Sequence, residues 1–316
     1  MARVLVTGAT GFVGSALIDR LASLDGFDPV AAVRRTGLVL PAGAEQVHLR
    51  DLSELASKLD GIDAIMHCAA RVHVMSDSAV DPLTEFRTVN TEATLQLAEA
   101  AARAGVRRFL FLSSIKASGE ETLAAPFTEL TPPQPETPYG QSKLEAETGL
   151  RRIAEQTGLE VVIVRPPLVY AAHAGGNFAR LLRWLYRGWP LPLASLDNRR
   201  SYIALENLVD VCVRGIVHPK AANELFLVSD GEDLSTPELL RTIADGMGRR
   251  ASSLPFPVPL IRLAASLLGR DEAARQVCSS LAVDSGKVRM MLDWLPPLGT
   301  HAALKAAGAA FAAARR

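Results

Sequence analysis

The chain has 316 residues, 48% of them hydrophobic and 22% charged, which is ordinary for a soluble globular protein and long enough to bury a large core. Lys plus Arg and Asp plus Glu both number 34, so the net charge is zero and a nucleic-acid polyanion is not indicated as a partner. Cys68, Cys212 and Cys278 are too few and too scattered for a disulfide framework or a zinc pattern. No apolar run approaches the ~18 residues of a spanning helix, and no cationic leader opens the chain, so it reads as cytoplasmic, without stable membrane insertion and without a metal.

Arg3 to Thr7 is a short apolar run that predicts a strand. Phe12 to Leu24 has helical period, with Val13, Ala16, Leu17 and Leu21 on one face. Further strands are predicted at Val30 to Val33, Val47 to Leu49, Ala64 to His67 and Arg108 to Ser113. Between the last two runs a long helix from Pro82 to Ala104, opened by Asp81 as cap and Pro82 in the first turn. A second long helix, Tyr139 to Thr157, closes at Gly158 and is followed by a strand at Val161 to Arg165. Strands that are nearly continuously apolar and alternate with helices predict an α/β fold, a Rossmann-like doubly wound parallel sheet. After Tyr170 glycines and prolines thicken and the rhythm breaks. A strand at Asn223 to Val228 and helices at Thr236 to Gly246, Pro259 to Leu268 and from His301 onward remain legible. The expected division is a dinucleotide-binding domain over 1–170, with 201–228 returning to it, and a smaller α/β substrate lobe over 171–200 and 229–316. The apolar stretch Val258 to Leu268, interrupted by Arg262, reads as a core or surface-packed helix, with an interfacial membrane role as the lesser alternative.

The first strand runs into Thr7-Gly8-Ala9-Thr10-Gly11-Phe12-Val13-Gly14 and then a helix. Gly8 permits a tight turn, Gly11 lets a pyrophosphate approach the backbone, and Gly14 lets helix and strand pack closely. The helix N-terminus offers amides and a positive dipole end to phosphates, so Gly8 and Thr10 to Gly14 are cofactor-binding candidates. The second strand ends in Arg34-Arg35, where an NAD enzyme commonly has an acid for the ribose hydroxyls. Two arginines suit a 2′-phosphate, which favours NADP over NAD, although a solvated basic strand end has the same sequence. Asp51 and Leu52, after the third strand, are candidates for the adenine. Cys68, Ala69 and Ala70, after the fourth, are small enough for the cofactor to pass along the backbone. His67 reads as structural.

Tyr139 and Lys143 stand four residues apart and share a helix face. A cation beside a phenol favours the phenolate and turns tyrosine into a proton-transfer group for an alcohol or a ketone. The same spacing also arises by chance on solvated helices. Ser114, 25 residues upstream of Tyr139, ends a strand of the parallel sheet, where such sheets bind their ligands.

With its glycine loop, strand-end serine and Tyr-x-x-x-Lys in this order, the chain resembles the extended short-chain dehydrogenase/reductases, in particular the NAD-dependent epimerase/dehydratase family and its UDP-glucose 4-epimerase-like subgroup. Val89-Asn90, Arg165-Pro166, Arg200-Ser201-Tyr202-Ile203, Asn207-Leu208-Val209-Asp210 and Asp284-Ser285-Gly286-Lys287 extend the resemblance over nearly the whole chain. It implies Ser114, Tyr139 and Lys143 as the catalytic group. Asn90, Pro166, Tyr139 and Lys143 join the cofactor residues, and Asn177, Phe178, Arg200 and Arg275 lie around a UDP moiety, with Ser114 on the sugar. It also implies a homodimer through the two long helices. The expected activity is redox chemistry at C4 of a UDP-hexose, most favourably a UDP-N-acetylhexosamine 4-epimerase of surface polysaccharide synthesis. A 4-keto reductase and an extended reductase of a non-sugar carbonyl are the alternatives. The departures matter. Ile115-Lys116 stands where sugar dehydratases carry Asp-Glu, which argues against dehydration. Ala117-Ser118-Gly119 replaces Val-Tyr-Gly, and Pro166-Pro167-Leu168 lacks an asparagine that touches substrate, so the sugar stays open.

Overall fold

The computed structural model describes residues 1–33, 44–48, 58–72, 81–269 and 271–315. Its strands are β1 (Ala2–Thr7), β2 (Phe27–Val33), β3 (Glu45–His48), β4 (Ala64–His67), β5 (Arg108–Leu112), β6 (Glu160–Arg165), β7 (Leu168–Tyr170), β8 (Tyr202–Ala204) and β9 (Glu224–Leu227). Seven of them form one parallel sheet in the order β3-β2-β1-β4-β5-β6-β9, and β7 and β8 make a separate parallel pair. The chain therefore winds outward from β1 in one direction to β3, and from β4 in the other. The order reverses between β1 and β4, and the crevice at their C-terminal ends is where such a sheet takes its ligand.

The helices are α1 (Phe12–Ala22), α2 (Pro82–Arg87), α3 (Ala93–Arg103), α4 (Pro138–Thr157), α5 (Gly176–Arg187), α6 (Leu205–Val217), α7 (Thr236–Gly246), α8 (Val258–Leu267), α9 (Asp271–Cys278), α10 (Gly286–Leu292) and α11 (Thr300–Ala313). Strand residues alternate between two faces and both are covered. Val4, Val6, Met66 and Val164 pack under α1 and α6, while Leu5, Ile65, Phe109 and Ile163 pack under α3 and α4. This double burial is why the strands read as unbroken apolar runs.

The end signals act as their chemistry predicts. Asp81 accepts from the Thr84 amide ahead of α2, and Thr137 accepts from the Gly140 amide ahead of α4, each with proline in the first turn. Gly158 ends α4 in the left-handed region at φ 80°. Ser235 and Glu238 form a reciprocal capping box at α7.

Two features depart from the sequence reading. The helix expected from Pro82 to Ala104 is interrupted by a π turn at Thr88–Glu92, which turns Asn90 into the interior. The stretch after Tyr170, expected to be irregular, holds the helix α5. Phe178, Leu182 and Leu185 recur there at helical spacing and enter a third core with Tyr170, Ile243, Leu304 and Phe311.

Candidate active site

The glycine loop forms a cradle at the crevice. Gly8 adopts φ 66°, and a Cβ there would lie 2.8 Å from the Ala69 amide nitrogen and 2.9 Å from the Cys68 carbonyl carbon. A Cβ on Gly14 would lie 2.2 Å from the Gly8 carbonyl oxygen. Loop, β4 end and α1 are thus in contact through hydrogen atoms, leaving backbone rather than side chains at the surface. Gly11 caps α1 with no side-chain hydrogen bond. Thr10 and Gly11 are exposed, and Phe12, Val13, Cys68, Ala69 and Ala70 are partly so. An uncapped helix start beside a backbone-lined groove fits a dinucleotide pyrophosphate. Arg34, Arg35, Asp51 and Leu52 lie outside the described residues.

Ser114 follows β5 and caps the short turn Ile115–Ala117, its Oγ accepting from the Lys116 amide at 3.2 Å. Its hydroxyl is within hydrogen-bonding reach of the Tyr139 phenol. Phe86 of α2 meets the Tyr139 ring edge-on, with centroids 6.0 Å apart. Lys143 is buried one turn further along α4.

The expected ammonium-phenol pairing is not the arrangement found. Lys143 Nζ donates to the Leu112 carbonyl at 3.0 Å and sits 4.5 Å from the centre of the Phe111 ring. Burial dominates both groups. It pushes the Tyr139 phenol up to about 12, opposed by the Ser114 hydrogen bond, and the Lys143 ammonium down to about 8, opposed by Cys68 and Glu147. The helix puts both residues on one face, but the lysine stem reaches inward to the end of β5.

A buried ion pair braces this corner. Glu147, one turn beyond Lys143, accepts from Arg165 Nε at 2.8 Å and from the Ser113 hydroxyl. Arg165 Nη1 reaches Ser118 Oγ at 2.9 Å, and Pro166 accepts from the Ile115 amide at 3.0 Å through its carbonyl. The strand end bearing Ser114, the helix bearing Tyr139 and β6 are thereby fixed together. On the same turn Glu120 is bonded to Lys116 and to Thr137, the cap of α4. Glu147 was not foreseen, although its place at i+4 from Lys143 is a readable signal.

His67 is structural, as expected, and its tautomer follows from its neighbours. Thr94 Oγ1 donates to the Asn90 carbonyl at 2.7 Å, so it accepts from His67 Nε2, and Nδ1 accepts from Thr7 Oγ1 at 2.7 Å. Asn90 bonds the Arg71 backbone through both its oxygen and its amide, and its amide also meets Ser142 Oγ at 3.1 Å. Both amide protons are engaged, so Asn90 positions the loop after β4 and the start of α4. The resemblance had assigned it to the cofactor itself.

Burial, helped by the Lys143 charge, pushes His67 down to about 3. The unfolded chain takes up this proton from about pH 6.5 downward and the folded chain does not. Stability is therefore expected to fall as pH drops from about 6.5 toward about 4. Urea unfolding across that range checks this, and His67→Gln should flatten the slope.

The residues expected around a UDP moiety divide into two sets. Arg200 Nη1 donates to the Ser279 carbonyl at 2.7 Å, just past the end of α9, the helix that carries Arg275. Arg275 pairs with Glu136 at 2.6 Å, three residues ahead of Tyr139, which ties α9 to the loop before α4. Asn177 bonds Gln276 at 3.0 Å on the same side. Phe178 differs: it is buried against Tyr170 and belongs to the lobe core, because its helix turns its apolar face inward. Among the described residues no group of His, Cys, Asp and Glu could hold a metal ion.

The sequence model described as the NAD dependent epimerase/dehydratase family matches residues 4–228. The chain belongs to that family. A protein of Vibrio cholerae named UDP-glucose 4-epimerase is 39% identical over 315 residues, covering 98% of this chain and 95% of that protein. An Escherichia coli O157:H7 protein is 25% identical over 81% of this chain and 76% of its own length. It is named N-acetyl-alpha-D-glucosaminyl-diphospho-ditrans,octacis-undecaprenol 4-epimerase. The crystal structure of UDP-N-acetylglucosamine 4-epimerase from Bacillus cereus superposes with a TM-score of 0.81 at 23% identity, covering 98% of this chain and 99% of that one. The resemblance and the Rossmann-like fold expected from the sequence are thus borne out. The family is NAD-dependent, and relatives named as 4-epimerases are among those that span most of this chain.

Proposed function

We propose that this chain is a 4-epimerase of a UDP-hexose, most favourably a UDP-N-acetylhexosamine, serving surface polysaccharide synthesis in the cytoplasm. The observation that carries the reading is the convergence of Ser114, Tyr139 and Lys143 at the end of β5, beside the glycine cradle, with Arg275 tied to Glu136 ahead of Tyr139 and Arg200 bonded to the end of the same helix α9. The nearly full-length relative named UDP-glucose 4-epimerase supports it, and the relatives named for N-acetylglucosamine support the choice of sugar.

A nicotinamide dinucleotide would be held at Gly8, Thr10 to Gly14, Cys68 to Ala70 and Pro166 and would supply the hydride acceptor and donor. Ser114 and Tyr139 hold the sugar O4 between them. Tyr139, as the phenolate, takes the proton of the sugar hydroxyl and later returns it to the same oxygen. Ser114 has one proton to give: it donates to the Tyr139 phenolate before substrate binds, offsetting part of the burial penalty, and to the sugar oxygen once substrate is in place. Lys143, fixed by Leu112 and Phe111, keeps a positive charge under the site at neutral pH. Arg200 and Arg275 bind the diphosphate as charge-assisted donors. Dehydration has no acid-base pair beside Ser114: Ile115 is buried, and Glu120 is bonded to Lys116 and Thr137. A homodimer packs through α2, α3 and α4, which already lie side by side through Arg87 and Glu145.

Incubation with UDP-N-acetylglucosamine and no added cofactor is expected to yield its C4 epimer, read by proton NMR. A second reading, reduction of a UDP-4-keto-6-deoxy-N-acetylhexosamine, is favoured by Arg34-Arg35, which suits NADPH. Absence of epimer together with oxidation of added NADPH on the 4-keto sugar selects the reductase. Copurified NAD supports the epimerase.

A further inference from the structure

The charges of this neutral chain are unevenly spread. Residues 161–196 and residues 249–270 contain no Asp or Glu, whereas Arg183, Arg187, Arg249, Arg250 and Arg262 fall within them. The fold brings the two acid-free stretches together. The Leu254 amide donates to the Leu191 carbonyl at 2.8 Å, and the Leu191 amide donates to the Ser252 carbonyl at 2.9 Å. Arg249 lies over the Tyr186 ring of α5 at 4.4 Å. All five of these arginines are exposed.

The same face is apolar. Leu260, Leu263 and Leu267, spaced three and four apart along α8, form one row and are 47%, 56% and 80% exposed. Trp184 and Trp189, 6.3 Å apart and both well exposed, stand on α5 and just after it, with Arg187 over the Trp189 ring at 5.0 Å. Phe256 extends the patch from the segment before α8. Scattered exposed leucines need no explanation, but here the segment after the tryptophan pair is hydrogen-bonded to the segment that leads into the leucine row, and both carry exposed arginines, which makes an amphipathic surface.

We propose that this face docks the protein on an anionic lipid bilayer. Leucine and phenylalanine enter the acyl boundary, the tryptophans lie at headgroup level, and the arginines meet lipid phosphates. Charge complementarity selects this occupant: the two stretches carry arginines and no carboxylate, with Asp197 and Glu238 only at their border beside Ala194 and Ala251, so the face is attracted to an anionic leaflet, each basic residue strengthening the contact. This is peripheral docking, consistent with the finding that no helix among the described residues is long and apolar enough to cross a membrane. Through α9 and the Arg275–Glu136 pair the face adjoins the rim of the candidate active site, so docking holds that rim near the bilayer.

The test uses the full chain and vesicles of phosphatidylcholine alone or mixed with phosphatidylglycerol. The chain is expected to float only with the anionic vesicles, and less so as salt rises. Tryptophan emission should shift to the blue on binding, since Trp184 and Trp189 leave water while the third tryptophan, Trp294, is already buried. The double variant Arg183→Ala/Arg187→Ala should weaken binding by about tenfold or more. Leu263→Ser/Leu267→Ser should remove most of the emission shift. These side chains are exposed, and an unchanged circular dichroism melt establishes that the variants fold. No flotation with anionic vesicles overturns the proposal, as does flotation that neither variant alters. A concentration-dependent dimer abolished by Leu263→Ser/Leu267→Ser also overturns it, because a second copy then covers the face.

Discussion

Replacing Tyr139 by phenylalanine is expected to lower turnover by about 10²- to 10⁴-fold, the usual contribution of a positioned acid-base group. The ring keeps its edge-on contact with Phe86, and the helix cap at Thr137 is untouched, so fold and cofactor retention should persist. The loss belongs in kcat, because the phenol acts on the oxygen that changes charge during the reaction. Ser114→Ala should reduce turnover by less and shift the pH profile upward, because Ser114 is the group that pulls against burial on a phenol otherwise pushed up to about 12. Initial rates of C4 epimerisation across pH provide the measurement. Turnover within a few-fold of the parent for Tyr139→Phe would falsify the assignment.

Glu147→Ala should produce the largest loss of stability, about 3–5 kcal/mol. Its side chain is 2% exposed and that of Arg165 is 4% exposed, so the substitution leaves a guanidinium charge in the interior without its counter-ion. It also removes the acceptor for the Ser113 hydroxyl, next to Ser114. Glu147→Gln, which keeps an acceptor and the volume, should cost less. The contrast is Glu145, whose bond to Arg87 lies on the same helix but is partly exposed; Glu145→Ala should cost no more than about 1 kcal/mol. Urea unfolding of the three variants ranks them. Equal losses for Glu147→Ala and Glu145→Ala would mean that burial does not set the scale here.

Much of this site was legible because its signals are local. The glycine loop needs no long-range information: a strand, a turn that only glycine can make, and a helix start are encoded within residues 3 to 24. Tyr139 and Lys143 are likewise fixed to one helix face by spacing alone. Their electrostatics were not legible. Whether an ammonium governs a phenol depends on what else surrounds each group, and here Leu112 and Phe111, distant in sequence, hold the lysine. Asn90 was singled out by its motif, but the π turn that gives its side chain two protein partners leaves no mark in the apolar period. The helix α5 was hidden by the flanking glycines and prolines, and Phe178 was consequently misread as a substrate contact.

The sequence by itself determined the parallel sheet, the crevice for a dinucleotide and the order of Ser114, Tyr139 and Lys143 along the chain. Strand patterning, turn chemistry and helical spacing are all properties of short segments. Only the tertiary structure decided that Glu147 and Arg165 brace the site, that Arg200 bonds the end of the helix carrying Arg275, and that two acid-free stretches separated by 52 residues come together on one exposed face. Burial and charge acquire their energies from neighbours that the chain brings together only on folding.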